Sequence, residues 1–487
     1  MISVEPGDPR YDGLTSGLNQ RYAAKPARVE LVRSTEDVVE AVQRAVSGGQ
    51  RLSVRSGGHC FEDFVFNPDV EVVVDLSAMT GVYFDTARDA YVVEAGARLA
   101  DVYEELYRGW GVTVPGGICY SVGAGGHFTG GGYGLLSRTH GLTVDHLHVV
   151  EVVVVDADGT ASAVLADRGS DLWWAHTGGG GGNFGVVTRF FFRPLVRPPS
   201  EVLLSSLSVP WSRLDEAGFT RLLDGYGRWH AESESGLSSL LTLNHVCNGS
   251  VGLVTQIDAD EPDAAEVLDE YLRTLLGDFE PPRRLPWLQA TRYLGTSSPV
   301  LNDPTLRGEH KSAYVRAPLP PEQISLAYRE LTRPDVTNPN AMLVAFSYGG
   351  AIGDVASDAT AVAQRDSIFK LLYQSFWSTE DEDAANIGWV RDFFRSMYAS
   401  TGGVPVPDSG TDGCYVNYPD ADLSSSDWNT SGVPWHTLYY KDNYPRLQAI
   451  KARWDPLNVF RHAQSIQAAG PNHCSSADSG SGPAHAT

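Results

Sequence analysis

The chain has 487 residues and 42% hydrophobic content, enough for two or more cores of ordinary domain size. Its 37 basic and 60 acidic residues give a formal charge of −23, which argues against nucleic acid or an anionic membrane surface as a partner. That balance fits a soluble protein acting on a neutral or cationic small molecule. No apolar run is long enough to span a bilayer. The start, MISVEPGDPRYDG, has neither a basic n-region nor an apolar h-region, so a cytoplasmic location is expected. Five cysteines (Cys60, Cys119, Cys247, Cys414 and Cys474), with no CxxC among them, make neither a disulfide framework nor a zinc knuckle.

In chain order, residues 29–33 read as a strand. Ser34 then caps a helix whose apolar face is Val38, Ala41, Val42, Ala45 and Val46. Gly48-Gly49 stops it and a strand follows from Arg51 to Val54, a βαβ unit. That strand enters Arg55-Ser56-Gly57-Gly58-His59, a turn whose backbone N–H groups suit a pyrophosphate. Further strands are expected at 71–76, 90–94, 149–155 and 186–192, with a helix over 99–108.

Pro194, Pro198 and Pro199 mark a boundary. Beyond it, helices are expected near 214–231, 263–275, 321–331 and 380–400, and strands near 240–244, 252–257, 342–348 and 367–376. Residues 439–447 and a helix from Pro445 to Trp454 read as a return to the first domain. The tail after Ala468 is small and polar, and reads as disordered.

The densest signal lies between these elements. Ten glycines fall between Gly116 and Gly141, interleaved with Ile118, Val122, Phe128, Tyr133 and Leu135. A solvated linker lacks such residues, so the run reads as backbone wrapped around a large flat cofactor, with Cys119 a candidate for a bond to it. Gly180, Gly182 and Gly185 satisfy GxGxxG, but VVTRFFF follows where a dinucleotide fold needs a helix. His127, His140, His146 and His148 match no zinc spacing, and no metal is expected. No GxSxG elbow occurs.

The segments RSGGHC (55–60), PGGICYSVGAGGHFTGGGYGLLSRTHGLTVD (115–145), GGGGGNFGVVT (178–188) and YYKDNYPRL (439–447) together resemble the berberine-bridge-enzyme-like flavoproteins of the vanillyl-alcohol-oxidase superfamily. Within that family the likeness is to actinobacterial oxidases of antibiotic sugars and polycyclic natural products. The resemblance implies an α+β, two-domain FAD-binding fold whose second domain is built on an antiparallel sheet. Boundaries follow as 1–197 for the FAD-binding part, 198–438 for the substrate domain and 439–467 for the return, with 468–487 the tail.

It further implies FAD attached covalently through His59 and Cys119. The loops at Arg55, Ser56, Gly57 and Gly58, at Val122, Gly123 and Gly126, and at Gly185 and Val187 would line the cofactor. Tyr439 is the implied base, Tyr133 an assistant, and Tyr440 and Asn443 would face the flavin or the domain seam. Either Tyr439 or Tyr440 could prove to be ordinary packing. The segment Tyr415-Val416-Asn417-Tyr418 aligns loosely with the glutamate-bearing segment of the berberine-forming members and opens without an acid. The implied activity is oxidation of an alcohol or lactol to ketone, acid or lactone, with O2 as acceptor. An oxidative cyclase, or an FAD-containing binding protein without turnover, are the alternatives.

Overall fold

The computed structural model describes residues 1–469. The expected disordered tail, with Cys474, lies outside the described residues from 470 onward. Three sheets follow one another along the chain. The first contains β1 (Ile2–Val4), β2 (Arg28–Leu31), β3 (Leu52–Arg55) and β4 (Val72–Asp75) in the order β1-β2-β4-β3. Its last three strands are parallel, as the βαβ reading requires. In the crossover helix, Thr35–Ser47, Ser34 Oγ accepts the Asp37 N–H at 3.2 Å and Val38, Ala41, Val42 and Ala45 are buried.

The second sheet is antiparallel, β5-β6-β9-β7-β8, from Val82–Asp85, Ala90–Glu94, Leu147–Val155, Ala161–Asp167 and Val186–Phe192 as β5 to β9. The third uses β10 (Glu201–Pro210), β11 (Ser238–Asn244), β12 (Ser250–Asp258), β13 (Arg283–Pro286), β14 (Arg307–Val315), β15 (Ala341–Ser347) and β16 (Phe369–Trp377). Its order is β13-β10-β12-β11-β15-β16-β14 and every pairing is antiparallel. Helices Glu216–Glu232, Ala264–Leu276, Pro321–Leu331 and Asp383–Met397 accompany it. The fold is therefore mixed α+β. No helix among the described residues is long and apolar enough to cross a membrane.

Besides strands β1, β5, β8, β10, β13 and β14, which the sequence reading did not expect, two helices depart from it. The glycine-rich run contains a short helix, Ala124–Thr129, despite Gly125 and Gly126. Tertiary contacts override the poor propensity: Ala124 N–H donates to Ala97 O, Gly125 N–H to Ala95 O, and Phe128 is buried against Phe190 and Phe192. The C-terminal return carries an additional helix, Trp435–Tyr440, before Tyr444–Trp454. That places Tyr439 and Tyr440 on a helix rather than in a loop.

Candidate functional site

A cavity of about 790 Å³ lies between the glycine loops of the first two sheets and one face of the third. Its N-terminal wall is built where β3 ends. Ser56 Oγ donates to Ala95 O at 2.6 Å and accepts the Gly125 N–H at 3.3 Å, binding the 55–58 loop to the start of helix 124–129. Gly57 and Gly123 touch backbone to backbone: a Cβ on either would overlap the other's amide nitrogen. Replacing Gly57 with Ala must therefore part the two loops. The expected result is a loss of about 1–3 kcal/mol in stability and a lower ratio of visible to ultraviolet absorbance in the purified protein, read by thermal melting and by spectrum.

Among the described residues, the N–H groups of Gly57, Gly58 and His59 meet no protein acceptor. All three residues line the cavity, and unpartnered backbone donors there fit a pyrophosphate. A Cβ on Gly126 would meet nothing within 4 Å. Arg55 underlies the loop, with Nη1 on Asp75 Oδ2 at 2.6 Å and Nε unpartnered. Gly185 and Val187 lie in the wall from the β9 side, and Gly185 also packs against the Val153 backbone.

His59 and Cys119 share this wall. His59 Nε2 is 2.8 Å from Ser121 Oγ, which itself donates to Asn302 Oδ1 at 3.3 Å. Burial, with Arg98 nearby, pushes the His59 imidazole down to about 4, so the ring is neutral near pH 7. Burial pushes the Cys119 thiol up to about 11.

The opposite wall carries phenols in four different settings. Tyr133 donates its hydroxyl to Ser347 O, and Tyr440 donates to Gly179 O at 3.1 Å. Tyr439 Oη accepts the Asp420 N–H at 3.0 Å, and burial holds its pKa well above the usual phenol value, with Cys414 and Asp420 adding to the rise. Tyr415 Oη accepts from Asn417 Nδ2 at 2.9 Å. Lys370 Nζ, buried and without a hydrogen-bond partner, lies 4.0 Å from the centre of the Tyr415 ring and 3.8 Å from that of Tyr133. Burial pushes that amine well below its ordinary value.

Thus the structure gathers every expected site residue into one cavity wall except Asn443. Its side-chain amide donates instead to Ser357 O at 2.8 Å, outside that wall. Sequence reasoning passed over Lys370 and the phenol of Tyr415. A lone lysine inside the apolar run FKLLYQSFW was the available signal for the first. No Asp or Glu among the described residues lines the cavity, and toward the third sheet its wall mixes apolar side chains such as Leu207, Leu240, Val254, Met342 and Leu372 with the polar Thr242, Asn244 and Gln374.

Comparison with known proteins agrees with this geometry. The pattern described as FAD binding domain matches residues 26–164, and that described as berberine and berberine like matches residues 414–467. Aclacinomycin-N/aclacinomycin-A oxidase of Streptomyces galilaeus is 44% identical, covering 96% of this chain and 90% of its own. Hexose oxidase of Chondrus crispus is 34% identical, covering 94% and 93%. The solved structure of CrmK, a flavoenzyme involved in shunt product recycling in caerulomycin biosynthesis, superposes with a TM-score of 0.92. It is 46% identical and covers 96% of this chain and 99% of its own.

Proposed function

The chain belongs to the berberine-bridge-enzyme-like family of FAD-linked oxidoreductases, and from that premise we propose that it oxidises an alcohol or lactol carbon of a sugar or polycyclic natural product, with O2 as final acceptor. Bound FAD supplies the hydride acceptor. The chain supplies anchorage, orientation and a place for the hydroxyl proton.

Anchorage falls to His59 and Cys119. Because Ser121 donates to Asn302, Ser121 accepts from His59 Nε2–H, which leaves the free lone pair on Nδ1. In that tautomer His59 would bond FAD through Nδ1, with Cys119 Sγ as the second tether. The free donors of residues 57–59 would hold the pyrophosphate.

The observation that carries the proton assignment is Lys370 over the Tyr415 ring. A phenol accepts a proton only as phenolate, so its neighbours decide which tyrosine serves. Tyr133 and Tyr440 direct their hydroxyls at carbonyls. Tyr439 faces Asp420, whose charge opposes a phenolate. Tyr415 receives a donated N–H from Asn417 and has an amine against its ring face. Burial opposes a charge on Tyr415 or Lys370 taken singly, while a phenolate and an ammonium placed together offset one another and titrate as a pair. Tyr415 is therefore the base, with Lys370 as its countercharge and Tyr133 packed on the other side of the lysine.

Lys370→Met keeps the bulk and removes the countercharge. The ionisation controlling flavin reduction should then move to higher pH by about one unit or more, measured as the pH dependence of anaerobic reduction. The activity itself is tested by anaerobic bleaching of the bound flavin with aclacinomycin A and with D-glucose, followed by mixing with O2. Bleaching by either, with reoxidation faster than that of free flavin, supports the oxidase. Bleaching followed by reoxidation no faster than free flavin would leave a dehydrogenase instead.

A further inference from the structure

Glu62 stands three residues after His59, outside the cavity wall, between the two segments that matter most. Its Oε1 accepts the Ala421 N–H at 2.8 Å, and its Oε2 is 2.8 Å from Tyr22 Oη. Ala421 belongs to the segment that runs on from Tyr415. Next to Glu62, the Phe61 ring stacks on His310 at 3.7 Å and on Tyr418 at 5.5 Å. The rest of the 415–422 segment is fixed from other directions. Lys311 Nζ holds Asp420 and Asp422 at 2.6 and 2.7 Å, Gln464 Nε2 donates to Asp420 O at 2.7 Å, and Ser312 Oγ accepts the Tyr415 N–H at 3.1 Å. Ala421 to Glu62 is the direct hydrogen bond from this segment to the attachment loop.

We propose that Glu62 is a positioning residue that clamps the cofactor-attachment loop to the segment bearing the proton acceptor, and that it does so as a neutral carboxyl. Four carboxyls (Glu62, Glu309, Asp420 and Asp422) lie among three cations (Arg21, Lys311 and Arg391). Arg21 pairs with Glu309, Lys311 with Asp420 and Asp422, and Arg391 with Asp422, which leaves Glu62 with no ion-pair partner among the described residues. The groups facing it are the Tyr22 phenol, the Arg21 guanidinium, the Glu309 and Asp420 carboxylates, and the neighbouring Cys60 thiol. Glu62 accepts the Ala421 N–H at Oε1 and the Tyr22 hydroxyl at Oε2. Burial and the like charges of Glu309 and Asp420 raise it to about 7, so it begins to ionise at neutral pH.

The sign follows from linkage. In an opened segment the carboxyl returns to its ordinary value near 4.3, so the closed form binds the extra proton and opening becomes easier as pH rises toward 7. The clamp is tight in acid and loosens through neutrality.

The proposal rests on Tyr415 as the proton acceptor, but its test needs no substrate. Hydrogen exchange of the peptide spanning residues 415–422 is followed in the holoenzyme between about pH 5 and 8, corrected for intrinsic rates. Protection at Ala421 in the wild type should fall by up to about tenfold per pH unit and level off above 7. Glu62→Gln, which is uncharged at every pH and keeps an oxygen to accept the Ala421 N–H, should keep full protection with no pH dependence. Glu62→Ala should lose it at every pH. The visible band of the bound flavin should titrate near pH 7 in the wild type and stay fixed in Glu62→Gln. A wild-type slope retained in Glu62→Gln, or wild-type protection in Glu62→Ala, overturns the proposal. If Glu62→Ala does not fold, the Glu62→Gln profile decides alone. Failure of the base assignment would show separately, as unchanged flavin reduction in Tyr415→Phe.

Discussion

Tyr415→Phe should slow substrate-driven reduction of the flavin by about 10²–10⁴-fold, the usual contribution of a positioned general base. The substitution removes one oxygen and leaves the ring in its cluster with Tyr314 and Tyr418, whose centroids lie 5.9 and 4.9 Å away. Asn417 loses its bond to the phenol but keeps the one from Nδ2 to His127 O at 2.9 Å. The melting temperature should therefore change little, so a rate loss of that size reports chemistry rather than unfolding. Tyr439→Phe is the matched comparison. It removes an acceptor from the Asp420 N–H, and its rate should fall by no more than about tenfold, equal to about 1.4 kcal/mol. Single-turnover reduction of both variants under anaerobic conditions separates the two tyrosines. The reverse order of effects would return the base to Tyr439.

The second large effect concerns the tethers. His59→Ala and Cys119→Ala should each keep FAD bonded through the remaining residue, and the double variant should hold it by non-covalent contacts alone. A ligand that binds only the folded chain stabilises it by an amount that grows with its free concentration. Added FAD should therefore leave the melting temperature of the wild type and both single variants unchanged. It should raise that of the double variant in a concentration-dependent way. Retention of colour by the acid-precipitated double variant would mean that a different residue carries the flavin.

Much of this site was legible in the sequence, for identifiable reasons. The 55–60 and 114–148 segments announce themselves because glycine at this density, mixed with buried aromatics, has few structural uses. Gly57 and Gly123 show the reason directly, since neither tolerates a Cβ beside the other. Regular alternation and capping gave the βαβ start and strand Val186–Phe192 at its observed bounds. Other strands were hidden by their chemistry. In β14, RGEHKSAYV, Glu309 and Lys311 are buried in ion pairs with Arg21, Asp420 and Asp422, so polarity along the strand does not mark solvent. Lys370 escaped notice for a related reason. Its setting comes from rings contributed by β15, by the glycine-rich run and by the 415–418 segment, which only the folded chain brings together. Tyr415 stood in a segment read only for the acid it lacks, which disfavours ring-closing chemistry, so its phenol was not weighed.

The central claim is a flavin bonded to His59 and Cys119 beside a tyrosine with a lysine countercharge. It is tested most directly by the intact mass of the denatured protein, followed by peptide mapping. The account predicts a chain heavier than its 52.7 kDa sequence mass by one FAD, with the cofactor linking the peptides that contain His59 and Cys119. A denatured chain at its bare sequence mass, with free FAD in the supernatant, would contradict it.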